Sequence, residues 1–159
     1  KKDNYCGKEG GMMAELDTKT KEQIKRNLKE GWIKSSLIIE VLATSEDAAK
    51  SALEKHVKQL GEENGVLVYK KDWGGFKKVD KPFKDIETAY SYFVELEMLT
   101  RNFERLVYLV MNYGPTSVEI LEPKHIKLDM GEAQGILVSL ADIIHKFAQM
   151  GIGGIVIRT

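Results

Sequence analysis

The order of elements predicts an α+β protein, a ferredoxin-like βαββαβ plait with an antiparallel four-stranded sheet. Three observations carry that prediction. Residues 102–123, NFERLVYLVMNYGPTSVEILEP, read as a helix, a glycine stop and a short strand. Residues 32–60 hold a long strand followed by an amphipathic helix. Two further β-prone runs lie between these halves, at 66–71 and 90–99. The succession strand, helix, strand, strand, helix, strand is that of the split βαβ plait. Right-handed crossovers then place both helices on one face of the sheet.

In the first strand, Trp32 to Ala43, the odd residues Ile33, Leu37, Ile39, Val41 and Ala43 are apolar. The even ones mix Trp32, Lys34, Ser36, Ile38, Glu40 and Leu42, so one face is core and the other partly wet. Thr44 or Ser45 caps the next helix, and Glu46 and Asp47 suit its positive end. Ala48, Ala49, Ala52, Leu53, Val57 and Leu60 line one side of it, and Gly61 or Gly65 ends it. Val66–Lys71 is the second strand, and a long connection follows. Tyr90–Leu99 is the third strand, with Tyr90, Tyr92, Val94, Leu96 and Met98 on its apolar face.

In the second helix Phe103, Leu106, Val107 and Val110 recur at helical spacing. Asn102 caps its start, and Gly114 can take the left-handed conformation that ends it. Pro115 forbids continuation. Val118 and Ile120 alternate with polar neighbours in the last strand.

Residues 1–30 are read as a mobile arm and a basic helix, Ala14–Glu30. Residues 31–122 form the plait domain. Residues 123–159 add a long helix at Gly131–Met150 and a glycine-hinged, β-prone tail, packed on the same domain. The long helix is apolar over more than one face: Ala133, Ile136, Leu137, Leu140, Ile143, Ile144, Phe147 and Met150 form a broad stripe, and Val138, Ala141 and Ala148 extend it.

Composition excludes several classes. Lys plus Arg balances Asp plus Glu at 24 each, so no global field draws the chain to a polyanion. The single cysteine, Cys6, rules out an intrachain disulfide. No apolar run approaches the roughly 18–20 residues of a membrane span, and the start is too polar for a secretory signal. The expectation is a cytoplasmic protein with no membrane partner. His56, His125 and His145 lie on different elements without metal-ligand spacing, so no metal site and no cofactor are expected. His145, among Ile143, Ile144 and Phe147, is read as a partly buried structural histidine, and His125 as exposed.

Two surfaces hold candidate function. Glu95 and Glu97 share a face of the third strand, with side chains about 7 Å apart. Glu40 joins them if the registers match, and Phe93 lies on the same face. Such carboxylates can bind a small-molecule ligand or a divalent cation, or serve as a general acid and base. The competing reading is a solvated, charged sheet face. YSYFVELEM also has the cadence of an RNA-recognition strand, with Phe93 at one stacking position. Ser91 and Ile38 stand where the other aromatics belong, and the three glutamates repel a polyanion.

The second surface is the connection after the second strand. It carries Lys70, Lys71, Lys77 and Lys78 around Trp73 and Phe76, the pattern of a base-stacking or partner-binding loop. The alternative is a hairpin whose aromatics fold back on the core and whose lysines protect an edge strand. Nucleic acid is the weaker partner expectation and a homodimer the stronger, because the long helix and the mixed sheet face both present apolar surface.

Within residues 107–123, Tyr113-Gly114 and Leu121-Glu122-Pro123 resemble the C-terminal extension of WYL-type bacterial transcription regulators. That extension is a ferredoxin-like unit with an aromatic-glycine stop and a Leu-Glu-Pro run before another helix. The resemblance implies a regulatory or ligand-sensing role and transfers no functional residue. The expected function is therefore a non-catalytic ligand-binding or regulatory module. The alternatives are a metal-dependent enzyme on the open sheet face and nucleic-acid binding through 70–85.

Overall fold

The computed structural model describes residues 16–83 and 86–150. The N-terminal arm and the glycine-hinged tail lie outside the described residues. Among the described residues the fold is α+β, with four helices and one antiparallel five-stranded sheet. In chain order the elements are α1 (Thr18–Lys29), β1 (Ile33–Ala43), α2 (Glu46–Gly61), β2 (Val66–Trp73) and β3 (Lys77–Phe83). They continue with β4 (Ile86–Thr100), α3 (Phe103–Tyr113), β5 (Ser117–Glu122) and α4 (Met130–Gln149). No described helix is long and apolar enough to cross a membrane.

The sheet order is β2-β4-β1-β5, with β3 also paired to β4. β1 opposes β4 over its whole length, from Ile33↔Thr100 to Ala43↔Tyr90. Odd residues of β1 and even residues of β4 therefore share one face. On it, Leu37, Ile39, Tyr92, Val94, Leu96 and Met98 are buried under Ala49, Leu53, Val57 and Leu60 of α2 and Leu109 of α3. The spacing of the α2 residues is one helical stripe. Each buried Leu or Val contributes roughly 1.5–3 kcal/mol.

The helix ends form as their residues dictate. The Ser45 hydroxyl accepts from the Ala48 amide at 3.2 Å, and the Asn102 side chain accepts from the Arg105 amide at 3.0 Å. Gly114 ends α3 at φ 55°, in the left-handed region. Asp129 and Glu132 close a capping box at the start of α4. That helix begins one residue earlier than its apolar pattern suggests, because Asp129 is the better cap.

The sheet has five strands, not four. The connection expected after Lys71 contains β3, and β4 starts at Ile86 rather than Tyr90. β2 pairs with Val94–Thr100 of β4, and β3 carries the same edge onward against Thr88–Ser91. The two strands follow one course, broken at Gly74-Gly75-Phe76, where the Gly74 amide still donates to the Phe93 carbonyl at 2.9 Å. The lysine-rich composition of β3 hides it: at an edge facing water, backbone pairing needs little apolar content.

α4 packs chiefly on α3. The Gly135 backbone approaches the Glu104 carboxylate there. His145 is exposed, in contrast to the buried position expected of it, because its apolar neighbours on α4 are themselves largely uncovered. His125 is exposed, as its flanking lysines suggest.

Candidate functional site

The strand register brings Glu40, Phe93, Glu95 and Glu97 to one face, opposite the helices. Glu40 lies directly across from Phe93, Glu95 from Ile38 and Glu97 from Ser36. The carboxylates do not converge, because each is held by its own neighbour. Glu40 accepts from the Ser91 hydroxyl. Glu95 accepts from the Ser36 hydroxyl at 3.2 Å.

Glu97 is the most engaged of the three. A register shift between Val68 and Lys70 lets two successive β2 residues reach it. The Tyr69 hydroxyl donates to it at 3.0 Å and the Lys70 ammonium at 2.9 Å. Lys70 also meets Asp72 at 2.9 Å. The Lys70 hydrogen bond holds the Glu97 carboxyl below its usual range against the opposing effect of burial. Lys70 is pushed up, first by its bond to Glu97 and then by Asp72. Burial, reinforced by the bond to Glu97, raises the Tyr69 phenol. Among the described residues, no three His, Cys, Asp or Glu side chains come together as a metal-ligand set.

The basic connection is divided by the same register. Lys70 and Lys77 oppose Glu97 and Ser91 on the open face, whereas Lys71 and Lys78 oppose Leu96 and Tyr90 on the helix side. Lysines alternate across an edge and form no single track. Trp73 and Phe76 stack on Tyr92 with ring centroids 5.8 and 4.4 Å away, and both remain half-exposed.

A third surface escapes the sequence reading. A cleft of about 480 Å³ lies between α2 and α3, lined by His56, Gln59, Glu62, Glu63, Asn64, Tyr108, Asn112 and Tyr113. Its walls are braced by a network centred on Glu63. The Tyr113 hydroxyl donates to Glu63 at 2.9 Å, and Arg105 approaches the same carboxylate at 3.8 Å. Arg105 also lies over the Tyr108 ring, 4.9 Å from its centroid. His56 Nε2 donates to the Tyr113 carbonyl at 3.0 Å, which fixes where that ring proton sits. Burial and the Glu63 bond push the Tyr113 phenol up to about 12.

The signal for this cleft was present in the spacing. His56 and Gln59 are three apart on α2, with Glu63 four further on. Arg105, Tyr108 and Asn112 repeat that spacing on α3. Two polar stripes beside two apolar ones predict a polar cleft once the helices are neighbours.

No curated protein and no solved structure matches the chain. One family model does, over residues 34–157, from the start of β1 through the whole of α4. Because that match takes in the sheet, the cleft and the long last helix together, the chain belongs to the MJ0538 family.

Proposed function

We propose that the protein is a non-catalytic binding or regulatory module whose ligand site is the cleft between α2 and α3. The observation that supports this is the Glu63-centred brace. It fixes His56, Tyr113, Arg105 and Tyr108 before any ligand arrives, and preorganised walls lower the cost of binding. Among the described residues, the Gln59 and Asn64 side-chain amides make no hydrogen bond within the protein, so they remain for a ligand. The carboxylates balanced by Arg105 and Lys58 favour a small polar molecule over an anion.

The test is an amide-resolved NMR titration with a panel of small amines, amides and polyols. Shifts confined to His56, Gln59, Asn64, Tyr108 and Tyr113, lost in Tyr113→Phe, are expected. Shifts centred on Glu40, Phe93 and Glu95 instead would move the site to the open sheet face.

A second reading, nucleic-acid binding through residues 70–85, is favoured by the half-exposed rings of Trp73 and Phe76 beside Lys71, Lys77 and Lys78. The division of those lysines between two faces weighs against it. A metal-dependent enzyme on the open face would need Glu40, Glu95 and Glu97 to leave their present partners. We read the sheet as a ferredoxin-like plait in which β3 prolongs β2, and the regulatory role accords with the resemblance at 107–123. We also read the working form as a homodimer.

A further inference from the structure

The helix layer ends before the sheet does. Val118 and Ile120 of β5 oppose Leu37 and Ser35 of β1, so they lie on the helix side of the sheet. Leu37 is 1% exposed, yet Val118 and Ile120 are 41% and 40% exposed. Among the described residues, no helix covers β5 closely enough to bury Val118 or Ile120.

Among the described residues, α4 packs chiefly on α3, and much of its apolar surface stays exposed. It turns Ala133, Ile136 and Ile143 towards partial burial. A second stripe, Leu137, Leu140, Ile144 and Phe147, follows 3-4-3 spacing beside the first. Leu137 is 67% and Ile144 58% exposed. These apolar residues stand in water at roughly 25 cal/mol per Å² of surface.

We infer that two copies of this chain pair about a twofold axis, the free stripe of α4 on each covering the bare helix side of β5 on the other. This deepens, and rests on, the homodimer reading above. A second copy is the occupant because one chain holds both halves of the missing layer. Each half is then satisfied by the other in a reciprocal contact, as twofold symmetry requires. In a twofold pair Leu137, Leu140, Ile144, Phe147, Val118 and Ile120, each at least 40% exposed in one chain, are covered on both copies, so twelve large apolar side chains form the interface core. At about 1.5 Å per residue, the 20 residues of α4 are long enough to cross a whole sheet.

Sedimentation equilibrium of the full chain tests the dimer itself. Twice 18.0 kDa is expected, and 18.0 kDa across micromolar concentrations overturns both the dimer and the surface assigned to it. Leu137→Glu, Ile144→Glu and Val118→Glu then test the surface, with Leu42→Glu on the opposite face as the control. The first three should raise the dissociation constant by about tenfold or more, with far-UV circular dichroism unchanged because all three positions are exposed. The control should stay dimeric. Dissociation by Leu42→Glu alone would keep the dimer and overturn this surface. As an independent readout, Val118→Cys and Ile144→Cys are placed on separately tagged Cys6→Ser chains. Oxidation of the mixture should join the two tags, and a dimer that yields no such link overturns the α4-on-β5 contact.

Discussion

The backbone of Gly74 lies against the ring of Phe93. A Cβ added at Gly74 falls 2.7 Å from Phe93 Cδ1 and nearer still to the far edge of the ring. The glycine is required by this approach, not by a turn. It lets the chain pass from β2 to β3 without leaving the edge of β4.

Gly74→Ala should therefore destabilise the protein by about 1–3 kcal/mol, the usual range for overpacking against a rigid group. Phe93→Leu in the same chain should recover part of that loss. Thermal melts of the two single variants and the double variant measure the coupling, and strict additivity would contradict the contact.

Acid should weaken the Lys70–Glu97 pair. Glu97 has its folded-state pKa held below the ordinary 4.5, so its contribution is present above that value and fades as pH falls through the folded one. Lys70 is shifted up from 10.5, so its contribution is full below that pH and is lost only as pH rises through the higher folded value. Partial exposure of both side chains limits the pair to about 0.5–1 kcal/mol. Glu97→Gln should cost that much at pH 7 and much less below pH 4 in urea melts. An equal cost at both values would assign the effect to packing.

Gly135→Ala should behave in the opposite way to Gly74→Ala. Its Cβ would meet the Glu104 carboxylate, 2.9 Å from Cδ, but that group is the free end of a flexible side chain. Removing a mid-helix glycine gains roughly 0.5–1 kcal/mol. The variant should melt at the same temperature as the wild type or slightly higher. A marked loss would mean that α3 and α4 meet more rigidly than Glu104 allows.

Gly114→Ala should cost about 1–2 kcal/mol, since φ of 55° strains any residue with a Cβ. Gly114→Asn should cost less, because asparagine tolerates the left-handed region. Urea midpoints of the two variants give the ranking, and a reversed order would remove the cap as its cause.

Local chemistry was the legible part of the fold. Ser45, Asn102 and Gly114 act as their residue types predict, and the alternation in β1 and β4 selects the core face correctly. β3 was illegible because an edge strand in water needs no apolar alternation, and Lys77, Lys78, Asp80 and Lys81 read as loop. For the open face, sequence parity places Glu40, Glu95 and Glu97 together but is silent on Ser91, Ser36 and Lys70, which take them up separately. The cleft depends on which turn of α2 meets which turn of α3. Tertiary packing sets that relation, and no single stretch of chain contains it.

β4 pairs with β1 along one edge and with β2 and β3 along the other. Among the described strands, only the β1–β5 ladder survives without it. Opening any one edge strand therefore leaves the rest of the sheet standing, whereas opening β4 dismantles nearly all of it. The amides of Val94–Met98, under the core helices, should exchange with solvent only through global unfolding, and those of β3 and β5 through small local openings. The partner of β4 on its inner edge lies 47 to 67 residues away in sequence, so this ladder forms by closing a long loop, and its closure should set the folding rate.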